Sequence, residues 1–175
     1  MKEIIDRLQE LYPISDFKQQ NNSLALITVD KDKAVDFITK LKNEEGFLHL
    51  SIITAVDWIE TKKFQLSYIV NNPITKNSFV VRVMIDRENA EMFSIHHLWE
   101  QAATYQRELK EMFGIDFPGS PGVDKPFILE GWHEIPPYRR DFDTKKYSEE
   151  TYFPREGRTK NVPAEYMKQK LYPDE

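Results

Sequence analysis

The chain has 175 residues, of which 40% are hydrophobic, 13% aromatic and 30% charged, with a net charge of −5. That length fits one domain with an extension, and the acidic balance argues against non-specific nucleic-acid binding as the main task. No run approaches the roughly 20 apolar residues a membrane-spanning helix needs, and the lack of cysteine removes disulfides, thiolate metal sites, iron–sulfur ligation and thiol nucleophiles together.

At the start, Ile4, Ile5, Leu8 and Leu11 recur at helical spacing until Pro13 stops the pattern. The acids among them are unlike a signal peptide, which makes the cytoplasm the simplest compartment. LALITV (24–29) reads as a strand. Asp30 is a candidate N-cap for a helix carrying Val35, Ile38 and Leu41 on one side, with Gly46 just past its end. FLHLSIITAVDWIE follows, apolar enough on both faces to predict a central strand.

Two cleanly alternating runs come next. Phe64, Leu66, Tyr68 and Val70 share one face of the first, and Phe79, Val81, Val83 and Ile85 share one face of the second. The turn-rich NNPITKNS between them predicts a hairpin. A helical stretch over about 94–113 places Leu98, Ala102, Tyr105, Leu109 and Met112 on one stripe, as one helix or as two with Thr104 capping the second. Four strands and the accompanying helices predict an α+β fold, a small mixed sheet with helices packed on one side.

The composition changes beyond Gly122. Residues 123–175 hold six prolines and nine aromatics but few aliphatics. The division expected is therefore a core over 1–122 and an extended C-terminal arm over 123–175. Its Trp132, Tyr138, Phe142, Tyr152 and Phe153 would be buried against something outside the arm, since aromatics with arginine are what interface centres favour; the alternative is a tail that folds back on its own domain. A short helix at AEYMKQKL is the only periodic element expected there. With ten basic against eleven acidic residues, the arm has no basic stripe for nucleic acid.

A search for chemistry returns little. His49, His96, His97 and His133 lack the spacing of a zinc site, and GSPG (119–122) lacks the lysine and helix of a phosphate loop. No serine sits in a nucleophile elbow. Asp57, beside Trp58 at the end of a strand, is the best single carboxylate, and a turn-forming role is the ordinary reading of it. One local oddity stands out. The helix ending at Gly114 carries Glu108 and Glu111 in its last turns, where the carbonyl end of the helix disfavours negative charge. Cations on a partner would resolve this. An i, i+4 pair between Arg107 and Glu111 would resolve part of it within the chain.

That same stretch carries a resemblance. Gln106, Arg107, Glu108, Glu111, Met112, Phe113, Gly114, Ile115, Phe117, Gly119 and Pro121, followed by Glu130, Gly131-Trp132 and Pro137-Tyr138-Arg139-Arg140-Asp141, resemble the signature of the 30-kilodalton subunit family of respiratory complex I, the NADH-quinone oxidoreductase. The family includes the related subunit of membrane-bound, energy-converting nickel–iron hydrogenases. AVDWIE and the FQLSYIV strand upstream look like the family core, so the resemblance spans roughly residues 50–142. Three departures are visible. Gln106 stands where the first Glu is usual, Ser120 stands where the complex I type generally has His, and VDKPFI (123–128) lacks an Arg-Ile-Leu pattern.

The resemblance implies an α+β domain whose C-terminal extension lies on a large catalytic subunit, with no cofactor of its own. Iron–sulfur clusters, and a nickel–iron centre in the hydrogenase branch, would belong to partner subunits. The departures tilt the expectation toward a hydrogenase-type complex, with complex I as the alternative. Expected partners are the large hydrogenase-like or quinone-site subunit and the iron–sulfur subunits, at the cytoplasmic face of the membrane and without a span of its own. Expected docking residues are Arg107, Glu108, Glu111, Trp132, Arg139, Arg140 and Asp141. Rival readings are a stand-alone enzyme using carboxylates such as Asp57 and Glu108, and an assembly chaperone.

Overall fold

The computed structural model describes residues 2–151 together with 167, 168, 170 and 171. Its elements run α1 (Lys2–Leu11), β1 (Ile14–Gln19), β2 (Leu24–Val29), α2 (Lys31–Asn43), β3 (His49–Trp58), β4 (Lys63–Asn71), β5 (Ser78–Asp86), α3 (Ala102–Phe113) and α4 (Thr144–Thr151), with a single 3-10 turn at Ile59–Thr61. Five strands form one sheet in the order β1-β2-β5-β4-β3. All neighbours are antiparallel except β2 and β5. The mixed α+β reading therefore holds, with one strand more than the four expected. β1 escapes the sequence pattern because a register irregularity between Ile14 and Asp16 breaks its alternation.

The β4–β5 hairpin is as expected. Asn72 shapes its turn, accepting from the N–H groups of Ile74 (2.9 Å) and Thr75 (3.0 Å) and donating to the Glu45 carbonyl (3.0 Å). Phe64, Leu66, Tyr68, Val70, Phe79, Val81 and Val83 are fully buried and Ile85 is nearly so. They join Ile5 and Leu8 of α1, Phe37, Ile38 and Leu41 of α2 and Leu109 of α3 in one hydrophobic cluster, so the helices cover one face of the sheet.

The other face is open and partly apolar. The register aligns Ile52, Ile69, Val80 and Leu26 in a row across four strands. Ile52, Val56 and Trp58 on that face are 38%, 42% and 44% exposed. This corrects the expectation that β3 is central. β3 is an edge strand, and the apolar residues that gave it two hydrophobic faces are in part exposed. Its outer edge is covered by side chains instead. Trp99 Nε1 donates to the Leu48 carbonyl (2.8 Å), Gln101 Nε2 to Leu50 (2.5 Å) and the Tyr105 hydroxyl to Ser51 (2.9 Å).

Those contacts also explain why the helix expected over 94–113 starts only at Ala102. The preceding residues form turns, with Leu98 and Trp99 N–H groups both bonded to the Ile95 carbonyl, and that turn aims Trp99 and Gln101 at the sheet edge. α3 ends as expected at Gly114 (φ 78°), whose N–H donates to the Lys110 carbonyl (2.9 Å).

Two compact units are distinguishable, residues 1–142 and 143–175. The first unit thus runs twenty residues past the Gly122 boundary expected from composition. α4 lies outside the sequence expectations, because TKKYSEET has no apolar stripe. Of AEYMKQKL, Met167, Lys168, Lys170 and Leu171 are described and are helical. Tyr152 and Phe153 lie outside the described residues.

Candidate functional site

Residues 123–142 contain no helix or strand, yet they are fixed to the core at two carboxylates. The first is Glu111 on α3. Its Oε2 accepts from the Phe127 N–H (2.6 Å), and its Oε1 accepts from those of Ile128 (2.8 Å) and Leu129 (3.0 Å). Burial pushes this carboxyl up, but the three N–H donors and the nearby Arg107 charge outweigh it and hold Glu111 below the usual range. The Arg107 guanidinium lies over the Phe127 ring at 5.3 Å and closes the same junction.

The oddity of a negative charge near a helix C-terminus therefore has an answer inside the chain. Glu111 is engaged by its own main chain, so its charge is satisfied without partner cations. Lys110 is similarly used, bridging Asp116 (2.8 Å) and Asp124 (2.5 Å). Glu108 is half-buried, and its side chain makes no hydrogen bond or ion pair among the described residues.

The second carboxylate is Asp57, at the end of β3 and 4% exposed. Arg87, just past β5, holds it with a two-pronged contact, Nε to Oδ1 at 2.8 Å and Nη2 to Oδ2 at 3.0 Å. Oδ2 also accepts from the Arg140 N–H (2.9 Å). Arg87 Nη2 reaches onward to Asp141 Oδ1 (2.7 Å), which Arg139 Nε contacts at 3.2 Å. The Phe64 ring lies below, 5.7 Å from the Arg87 guanidinium and 5.8 Å from that of Arg139.

Burial pushes Asp57 up, and Arg87 with the Arg140 N–H overrides it, so its pKa is lowered. Asp141 is pushed up by burial and held down by Arg139 and Arg87. Arg87 is raised, chiefly by Asp57. An Asp held ionised by a buried arginine is a structural anion and is poorly placed to move protons near neutral pH.

Arg87 does not stand out in the sequence, although a signal is there. Alternation continued past Ile85 puts Arg87 on the inward face, and the hairpin register brings it to the sheet end where Asp57 also points inward. On the α3 side the Tyr138 N–H donates to the Met112 carbonyl (2.9 Å), and the Tyr138 ring meets Phe113 edge-on at 5.7 Å. Trp132 pairs with Phe142 (5.6 Å) and directs Nε1 at the carbonyls of Glu134 (3.1 Å) and Ile135 (3.2 Å).

Of the seven expected docking residues, Arg107, Glu111, Arg139 and Asp141 thus serve contacts within the chain, as does Trp132. The Arg140 side chain faces solvent, 52% exposed, with a 2.5 Å contact to Glu60. Pairs this exposed contribute little stability. A cleft of about 430 Å³ lies along this junction, lined by Arg107, Lys125, Trp132, His133 and Glu134 among others.

Two of the sequence departures prove to be one feature. Gln106 is fully buried, and its Oε1 accepts from the hydroxyls of Ser120 (2.7 Å) and Ser94 (2.7 Å). Ser94 Oγ also lies 2.9 Å from His96 Nδ1, so this histidine belongs to a turn network. Among the described residues no cluster of three or more His, Asp or Glu side chains suits a metal ion.

Among the described residues the site is a set of structural carboxylates, Glu111 and Asp57, that fasten a C-terminal segment to a one-sided α+β sheet. The profile of the family "Respiratory-chain NADH dehydrogenase, 30 Kd subunit" matches residues 27–148, and the chain belongs to that family.

The NADH-quinone oxidoreductase subunit of this family from Moorella thermoacetica is 30% identical over 142 residues, 81% of this chain and 95% of the relative. Its counterparts in Novosphingobium aromaticivorans and Erythrobacter litoralis are 29% and 28% identical, and the chain spans only 41% and 56% of their lengths. Among solved structures, a chain of the membrane-bound sulfane sulfur reductase, an archaeal respiratory membrane complex, superposes with a TM-score of 0.83. It is 27% identical, and the match covers 92% of this chain and 96% of that one. A trypsin-resistant fragment of Nqo5 shares the fold, with a TM-score of 0.58 at 21% identity over 69% of this chain and 96% of the fragment. The relatives are subunits of oxidoreductase complexes. No helix among the described residues is long and apolar enough to cross a membrane.

Proposed function

We propose that the chain is a non-catalytic docking subunit in the peripheral arm of a membrane-bound, ion-translocating oxidoreductase, seated on the large catalytic subunit at the cytoplasmic face. The observation that carries this reading is the superposition on a chain of an archaeal respiratory membrane complex, which covers nearly the whole of both chains. The half-exposed Ile52, Val56 and Trp58 on the open sheet face add support, because exposed apolar patches mark surfaces that meet other proteins.

Within this reading the complex is of the hydrogenase-related type, with iron–sulfur clusters and a nickel–iron centre in partner subunits. The same role in complex I is the second reading, favoured by the Moorella relative that the chain covers almost completely. Docking rests on the outward-facing Arg140 and the half-buried Glu108, with Trp132 and the chain beyond Phe142 also contributing.

The test is purification of the tagged chain from gently solubilised membranes, with partner identification and iron and nickel content. A stoichiometric complex containing iron and nickel is the expected result, and iron without nickel moves the assignment to complex I. Recovery of a lone monomer contradicts the docking role, and turnover by that monomer establishes the enzyme alternative. Substoichiometric presence in the mature complex marks a chaperone. Removing both Arg139 and Arg140 by alanine substitution is expected to lower complex yield, and unchanged assembly removes them from the interface.

A further inference from the structure

The geometry assigns to Arg87 a role that neither its strand nor its family signature indicates. We propose that Arg87 is the positioning residue of the docking segment, fastening residues 138–142 to the sheet end so that Arg140 faces outward toward the large subunit. The proposal rests on the docking reading above.

Three observations converge on it. Among the described residues, Arg87 alone contacts both aspartates, Asp57 from the strand and Asp141 from the segment, at 2.7–3.0 Å. A planar guanidinium holds two carboxylates through a rigid fork of donors, whereas a lysine ammonium is a point charge on a flexible stem. Asp57 also takes the Arg140 N–H, so the main chain at the outward-facing residue is pinned by the anion that Arg87 orients. The group contains two arginine and two aspartate side chains plus one N–H donor, so its charges balance without outside help. Finally, the Arg140 side chain leaves this group and reaches the exposed Glu60, a contact that a partner carboxylate can replace at little cost. Arg87 itself is 9% exposed and cannot be a docking residue. Its effect on assembly must pass through the segment.

The experiment compares Arg87→Met, Arg87→Lys, Asp141→Asn and Arg140→Ala in the full chain, with two readouts. Trypsin cleavage after Arg139 and Arg140 reports the position of the segment, and stoichiometric complex recovered from membranes, per folded chain, reports docking. Arg87→Met is expected to speed cleavage about tenfold and to cut recovery about fivefold. Lysine restores neither fully, because its single ammonium cannot reproduce the two-pronged contact with Asp57 while also reaching Asp141. Combining Arg87→Met with Arg140→Ala is expected to lower recovery no further than Arg140→Ala alone, a non-additivity that general destabilisation does not produce.

If Arg87→Met fails to fold, Asp141→Asn cuts only the outward half of the bridge and carries the same expectations. Unchanged cleavage in the folded variants overturns the inference. So does faster cleavage with undiminished recovery while Arg140→Ala still impairs it. Recovery that survives Arg140→Ala as well indicts the docking reading, and the cleavage data then stand by themselves.

Discussion

Strands β3 to β5 and the segment 123–142 solve the same problem by different means. The strands bury whole rows of side chains, each worth about 1.5–3 kcal/mol when fully removed from water, and Phe64, Leu66, Tyr68 and Val70 on one face of β4 illustrate it. The segment buries one hydrophobic residue, Val123. Its attachment comes largely from main-chain N–H groups donated to two ionised carboxylates of the core, Glu111 for Phe127 to Leu129 and Asp57 for Arg140. A stretch too poor in aliphatics to form a core can thus be ordered by charge-assisted hydrogen bonds, roughly twice as strong as neutral ones.

The contrast can be pressed by substitution. The largest effect is expected at Asp57→Asn, which leaves Arg87 buried with its main partner gone. Breaking a buried pair from one side costs about 3–5 kcal/mol, measurable by urea denaturation. Next comes Gln106→Glu, which places a charge in a fully buried site whose partners are two serine hydroxyls. A loss of roughly 3 kcal/mol is expected, with partial recovery in Gln106→Glu/Ser120→His, where a cation stands beside it. Additive losses in the double variant would separate the two positions.

Glu111→Gln keeps the shape but not the charge. It is expected to lose roughly 2 kcal/mol and to accelerate amide exchange at 127–129 while leaving β4 protected. The pH dependence follows the same groups. Asp57, Glu111 and Asp141 all have lowered folded pKa values. Their contribution is therefore complete above the unfolded values, about 3.9 for Asp and 4.3 for Glu, and is lost as pH falls through the lower folded ones. A melting profile flat from pH 7 to 5 and falling below about 4 is expected, with a shallower fall in Glu111→Gln.

The smallest effect belongs to the strands. The Tyr68 hydroxyl is fully buried and has no hydrogen-bond partner among the described residues. Tyr68→Phe is therefore expected to be neutral or stabilising by less than about 1 kcal/mol.

The same contrast explains what is legible in the sequence. Alternation exposes β4, β5 and their hairpin because burial there is written in side-chain type at period two. α2 is readable from its apolar stripe, although Asp30 at its start makes no side-chain cap hydrogen bond and Glu44 takes the C-cap position, and the end of α3 is readable from Gly114. β3 is recognisable as a strand but not as an edge, since apolar residues facing an open sheet side look the same as buried ones. The segment's attachment has no periodicity to reveal it. Its aromatics suggest burial against something outside it, while the groups that fix it are backbone N–H donors, which every residue but proline carries.

Glu111 draws notice in the sequence as a charge awaiting a partner, with no hint that its own main chain supplies three donors, and Arg87 draws none. Gln106 and Ser120 are visible there only as two separate departures from the family pattern, because nothing in one sequence says that residues fourteen apart share a hydrogen bond.

The most direct measurement is hydrogen exchange of the isolated chain, followed at the amides of Phe127, Ile128, Leu129 and Arg140. If these groups are clasped by Glu111 and Asp57 without any partner, they exchange on the slow timescale of the β4–β5 hairpin. Exchange as fast as in an unstructured peptide, with the hairpin still protected, would mean that the segment is ordered only in the assembled complex and would contradict a preformed docking segment.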